Sequence, residues 1–212
     1  MFRQTCVALA IVCGAGAAHA GEVYGGVGLP GVMLGYAHAI SPSVTLRGDF
    51  ATLGSHDKDF EEEGIDYKGK IKMHRVGVFA DWFVAGGFRL TGGVTFNNMR
   101  ADLSAKGNGQ NVTIGGQPVT LTAADRFDVT IKFPKTTPYL GIGYGHQMGT
   151  GLGFVFDLGV SIGKAKLSET HSGPNMGLVP QSNIDAEMAE LRDGVGKIRA
   201  IPQLSIGVNY KF

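Results

Sequence analysis

The stretch IPQLSIGVNYKF, residues 201–212, sets Leu204, Ile206, Val208, Tyr210 and Phe212 in alternation with Gln203, Ser205, Gly207, Asn209 and Lys211. A period of two, apolar on one side and polar on the other, is the pattern of a β-strand with two different faces. The last residues of soluble domains tend to fray. This stretch runs in register to a terminal aromatic residue, so it is expected to be a structural strand.

The same alternation recurs toward the N-terminus. Strands are expected over 22–29, 32–40, 44–51, about 68–83, 88–97, 139–147 and 152–163, with 201–212 as the eighth. The clearest sets Leu152, Phe154, Phe156, Leu158, Val160 and Ile162 against Gly153, Val155, Asp157, Gly159, Ser161 and Gly163. Pro134 and Pro138 interrupt the sixth, because proline cannot donate to a ladder. Short turns are expected at 41–43, 84–86 and 148–151. Long loops are expected over the acidic HDKDFEEEGID, over 104–126 with a small hairpin at Gly115-Gly116, and over about 166–197. The connection Leu29-Pro30-Gly31 is read as a tight reversal, although one kinked strand over 22–40 would leave seven strands.

The 212 residues carry 19 basic and 18 acidic side chains with no polybasic block, which argues against a nucleic-acid surface. Arg3, the apolar run Cys6 to Ala18 and the sequence Ala18-His19-Ala20 predict a cleaved signal peptide over 1–20. That run of 13 residues falls short of the roughly 20 needed for a membrane helix. Cleavage would remove Cys6 and Cys13, the only cysteines, leaving a single domain over 21–212. An exported chain without a membrane helix is either soluble or a closed barrel, since only helices and barrels satisfy their backbone in lipid.

Polarity chooses between these. One face of the strands is Leu, Ile, Val, Phe and Tyr; the other is Gly, Ser, Thr, Asn and isolated charges. The second suits a narrow interior better than a soluble exterior. Trp82, Phe88, Tyr210 and Phe212 fall at one end, as in an interfacial girdle. The fold class expected is therefore all-β: an eight-stranded antiparallel up-and-down transmembrane barrel with one short helix in the last outer loop. Its interior would hold Glu22, Arg47, Asp49, Arg75, Asp81, Arg89, Asp157 and Lys211. These four cations and four anions would form a structural ion-pair plug in preference to a proton or ion path, unpaired buried charge being costly.

With signal peptide, alternating strands and the Tyr210-Lys211-Phe212 ending in view, the chain resembles the small outer-membrane β-barrels of Gram-negative bacteria, in the style of the OmpA transmembrane domain or OmpW. The resemblance implies an outer-membrane location and recognition of Leu204, Ile206, Val208, Tyr210 and Phe212 by the barrel-assembly machinery. It also implies contact with outer-membrane lipid and lipopolysaccharide. A monomer is expected, without the peptidoglycan-binding domain of OmpA-type proteins. Such barrels serve as anchors, adhesins, pores or lipid enzymes.

The remaining candidates are local. SNIDAEMAELRDGV reads as a helix capped by Ser182 or Asn183, with Ile184, Met188, Leu191 and Val195 in one narrow apolar seam. That seam would serve as a lid, or else dock a protein partner. Asp57, Asp59, Glu61, Glu62, Glu63 and Asp66 are oxygen ligands without EF-hand spacing, read as a solvated loop. His38 and His146 are placed on the apolar face near strand ends, His74 on the outer half of strand four, and His171 adjoins a serine, Ser172. None forms an acyl-transfer set, so no catalytic residue, metal or cofactor is expected. The function expected is a structural or surface-interaction barrel, with a small-solute pore or a transporter of small apolar molecules as the alternative and a lipid A-modifying enzyme behind it.

Overall fold

The computed structural model of the protein describes residues 21–62, 65–146, 149–194 and 199–212, the side chains of 60–67 and 194 excepted. The expected signal peptide, Gln147, Met148 and Val195 lie outside the described residues. So do the side chains of Glu61, Glu62, Glu63 and Asp66.

Among the described residues twelve strands form: β1 Gly21–Leu29, β2 Gly31–Ser41, β3 Val44–Glu62, β4 Ile65–Ala85, β5 Phe88–Lys106, β6 Asn111–Ile114, β7 Gln117–Thr120, β8 Arg126–Lys132, β9 Thr136–Tyr144, β10 Gly151–Ile162, β11 Lys166–Ser172 and β12 Ala200–Lys211. One α-helix is found among the described residues, α1 at Gln181–Gly194, preceded by a 3-10 turn at Met176–Leu178. β1 pairs β2, and pairing continues through β3, β4, β5, β9, β10 and β12 back to β1, all antiparallel, so eight strands close a ring. The C-terminal stretch closes it, Glu22 lying opposite Lys211 and Leu29 opposite Leu204. A closed ring has no unpaired edge to shield.

The tight connection after Leu29 joins two separate strands, with Gly28 opposite Gly31. Gly31 has φ +107 and its Cα faces the backbone of Thr52, a place for glycine alone. Eight ring strands result, and Gly21 and Phe212 meet at one end of the ring, the end of the turns at 42–43 and 86–87. We call this the terminal end, and the opposite one the loop end.

Two expected loops are strands. The acidic segment continues β3 into a long hairpin with β4, in which Asp57 faces Lys70 and Asp59 faces Lys68 across the ladder. Opposed charges support cross-strand pairing; a reading of HDKDFEEEGID by itself cannot see the lysines that answer it. Likewise the segment after Gly163 resumes as β11, which pairs β8, while β8 pairs the outer half of β5. The sixth strand is thus split at Pro134, its two parts meeting β5 separately. The hairpin at Gly115-Gly116 forms as β6 and β7, with both glycines at positive φ.

Alternation runs around the ring, interrupted by bulges at Ala39/Ser41, Thr52/Gly54 and Phe83/Ala85. Ile206 is 60% exposed, whereas Gln203 and Asn209, on the opposite face of the same strand, are 4% exposed. Large apolar side chains cover the outside, and polar ones fill the inside together with Tyr24, Met33, Phe79 and Tyr139. The larger cluster of buried apolar residues sits beyond the loop end, where Ile184 and Met188 of α1 pack on Ile114, Val119, Val129 and Met176; a smaller one, Tyr24, Met33, Ala37 and Ala51, lies within the ring.

Candidate functional site

An eight-strand ring has room inside for side chains and little else. Arg47 of β3, Asp81 of β4, Arg89 of β5 and Asp157 of β10 meet there. Arg47 Nε donates to Asp81 Oδ2 at 2.5 Å and its Nη2 to Asp157 Oδ1 at 2.9 Å. Arg89 Nη2 donates to the same Asp157 oxygen at 2.7 Å, while its Nε lies 3.4 Å from Asp81. The Thr91 hydroxyl donates to Asp81 Oδ1 at 2.6 Å. Beside this quartet, Arg75 donates to Asp49 at 2.6 Å and to the Gln203 amide oxygen, and the Tyr24 hydroxyl donates to Asp49 at 3.4 Å. Charge-assisted bonds of this kind are the strong ones.

Aromatic rings fill the space between. Phe79 and Tyr139 meet edge to face at 4.9 Å, and the guanidinium carbons of Arg47 and Arg75 lie 4.9 and 5.4 Å from the Phe79 centroid. Cations so placed are attracted by the ring face. Inward glycines make room: a Cβ on Gly35 would lie 2.6 Å from the Tyr24 hydroxyl, and one on Gly143 would lie 2.6 Å from the Arg89 guanidinium carbon. Thr95, Thr137 and Ser161 share hydroxyl contacts of 2.7 and 3.1 Å, to which Gln203 and Asn97 add donors at 2.6 and 2.9 Å. The cavity left among Met33, Asp49, Arg75, Phe79, Tyr139 and Gln203 is about 10 Å³, space for about one water.

Seven of the eight residues expected inside are buried there: Glu22, Arg47, Asp49, Arg75, Asp81, Arg89 and Asp157. Lys211 is half-buried at the terminal end, and Glu22 meets His146, through its Nδ1, and Asn209. This corrects the placement of His146 on the apolar outer face. The strand ends at Tyr144; Gly145 and His146 then adopt φ +95 and +70, which cancels the alternation and turns the imidazole inward, 4.6 Å from the Tyr24 ring. Only Asn, Asp and His among residues with side chains visit that region with any ease, a weak signal that the Gly145-His146 pair carries.

At the loop end, Ile184 and Met188 are buried and Leu191 packs at the margin of the same cluster. The helix begins one residue earlier than its expected caps, at Gln181 after Pro180. Asn183 instead donates its amide to the Gly115 carbonyl at 3.0 Å, and Glu187 accepts the Gly115 N–H at 3.0 Å. Sequence reading missed Asp125. Its Oδ1 accepts the backbone N–H groups of Asn175 and Met176, both at 2.9 Å, and Oδ2 accepts the Thr122 N–H at 2.9 Å and hydroxyl at 2.6 Å. Burial opposes its ionisation, but these donors prevail and hold the carboxyl below the ordinary 3.8. The Thr-x-x-Asp spacing at 122–125 was the available clue.

The acidic hairpin pairs its charges, Asp57 with Lys70 at 3.5 Å and Asp59 with Lys68 at 3.9 Å, all well exposed. Among the described residues no group of three metal-type ligands gathers. His74 accepts or donates a bond with Thr52 at 2.7 Å and stacks on Phe50, and His171 meets Glu169 at 3.0 Å on one face while Ser172 alternates to the other.

A closed antiparallel ring with a charged interior and an apolar exterior is the fold of the outer-membrane β-barrels. CarO of Acinetobacter baumannii shares it at 18% identity, over 91% of this chain and 97% of that one, with a TM-score of 0.59. The crystal structure of CarO2 from the same organism matches at 18% identity, over 92% and 98% of the two chains, with a TM-score of 0.60. A major outer membrane protein from Thermus thermophilus overlaps 92% of this chain and all of its own at 16% identity, with a TM-score of 0.45. No family model matches the sequence, and no curated protein matches it.

Proposed function

We propose that the protein is an eight-stranded up-and-down transmembrane barrel of the outer membrane, a surface-interaction protein with a plugged interior. The observation that carries this is its inverted polarity: Leu34, Phe154 and Ile206 stand exposed while Arg89 and Asp81 are fully buried. Soluble monomers rarely expose an apolar patch above a few hundred Å², and here a continuous band encircles the ring. Trp82, Phe88, Tyr210 and Phe212, all exposed at the terminal end, suit the inner interface.

The small-solute pore is disfavoured by the interior itself, where guanidinium groups, carboxylates and aromatic rings leave a cavity of about 10 Å³. For the lipid-enzyme reading, no nucleophile paired with a base and oriented by a third group is seen among the described residues. In this proposal residues 1–20 are the cleaved export signal, and the C-terminal strand engages the assembly machinery. The mature monomer sits in lipid and lipopolysaccharide, with the β6–β7 hairpin, α1 and the β3–β4 hairpin available to a protein partner outside.

The test is conductance of the purified barrel in planar bilayers. No sustained open-channel current is expected; a steady current would overturn the plugged interior and favour the pore. Membrane fractionation and heat-modifiable gel mobility come first, and recovery as a soluble periplasmic protein would end the reading as a whole.

A further inference from the structure

Lys72 of β4, Arg100 of β5, Lys132 of β8 and Lys166 of β11 are direct cross-strand neighbours, each opposite the next. All four are exposed, and they share the outward face of Val76 and Phe96. Side chains opposed in this way stand about 5 Å apart, and like charges so placed are destabilising. Lys135 and Lys164 are exposed close by. Among the described residues, Asp102 is the acidic side chain that bonds to the row, accepting from Arg100 Nε and from the Thr130 hydroxyl, both at 2.6 Å. Lys72, Lys132 and Lys166 form no salt bridge with any described residue.

The row stands where the apolar band ends. On β4 the outward residues run Trp82, Ala80, Val78, Val76, His74, Lys72, and on β5 they run Phe88, Leu90, Gly92, Val94, Phe96, Asn98, Arg100. Ten residues of a tilted strand span about 25 Å, the height of such a band. Just below the row the ladder breaks at Pro134, and a groove of about 750 Å³ opens there, bordered by Phe50, Val76, Phe96, Arg100, Lys132 and Lys135. It is apolar toward the band and cationic toward the loop end.

We propose that this groove and row bind a phosphorylated glycolipid of the outer leaflet, of the bis-phosphorylated lipid A type. Its phosphates would neutralise Lys72, Arg100, Lys132 and Lys166, and its acyl chains would lie on Phe50, Val76 and Phe96. Charge complementarity selects this occupant: a line of cations at headgroup depth above an acyl-depth apolar floor matches an anionic lipid. The inference rests on the transmembrane reading.

The test is native mass spectrometry of the mature protein folded in detergent, offered bis-phosphorylated lipid A, its dephosphorylated form, or phosphatidylglycerol. The wild type is expected to prefer the bis-phosphorylated form. The triple variant Lys72→Gln, Lys132→Gln, Lys166→Gln should bind it roughly 100-fold more weakly. Lys68→Gln with Lys70→Gln, on the outer hairpin, should leave binding intact. Equal binding by the triple variant, equal binding of the dephosphorylated lipid, or equal binding of phosphatidylglycerol overturns the proposal. The two lipid comparisons need only the wild type, so they decide even if the triple variant does not fold. Loss of lipid preference in a protein that is membrane-inserted and heat-modifiable fails this inference alone, whereas a wild type found in the soluble fraction fails the transmembrane reading beneath it.

Discussion

Arg89 lies between two carboxylates with no exposed surface, and its guanidinium occupies the space that Gly143 leaves. Removing one member of such a buried set strands the others, so Asp81→Asn, which leaves Arg47 and Arg89 short of an anion, is expected to destabilise the barrel by about 3–5 kcal/mol. Urea unfolding followed by gel mobility measures this, and a shift under about 1 kcal/mol would mean the network carries little. Asp125 makes a pH prediction. Its folded-state carboxyl lies below 3.8, so its contribution is fully present above that value and is lost as the pH falls through the lowered one. Protease resistance of the loop end should therefore drop at acid pH. In Asp125→Asn it should be lower at neutral pH, by the equivalent of about 1–3 kcal/mol, and should lack that acid step.

Among the elements, α1 depends on its neighbours. Its seam of Ile184, Met188 and Leu191 lies against the β6–β7 hairpin and the 3-10 turn, and the Gly115 backbone bonds to Asn183 and Glu187 tie the hairpin to the helix. An isolated helix of 14 residues is marginal in water. Leu191→Asp is expected to loosen the loop-end cluster and speed proteolysis there while leaving the ring folded. Unchanged protease resistance together with unchanged thermal stability would remove the support for a packed lid. The β3–β4 hairpin differs: its bonds are backbone ladder and exposed ion pairs, each pair contributing about 0–1 kcal/mol.

For the whole molecule, the outer band is the feature that separates a membrane barrel from a soluble one. Ile206→Lys puts a cation into that band and should cost about 2–4 kcal/mol when folding is measured in lipid vesicles. A soluble barrel would respond to the same change with little loss or with greater solubility, so a neutral result counts against membrane insertion. Closure through β1 and β12 leaves the ring without an edge, while β8 and β11 rise beyond it as an extension of β5 and support the loop-end cluster.

The two faces of each strand were legible in the sequence, because alternation is a local property that pleating turns directly into inside and outside. Leu204, Ile206, Val208, Tyr210 and Phe212 show it, and so do Arg47, Asp49, Arg75, Asp81, Arg89 and Asp157. The identity of partners was not legible. That Glu22 meets His146, that Asp57 and Asp59 belong to a hairpin, and that Lys72, Arg100, Lys132 and Lys166 form one row depend on register and on two backbone angles after Tyr144. These are settled by pairing between segments far apart in the chain, Glu22 and His146 being 124 residues distant, which no local pattern encodes. The sequence by itself determined that the chain has an apolar and a polar side to every ring strand. Only the tertiary structure decided which charges stand together, since closing the ring brings distant strands side by side.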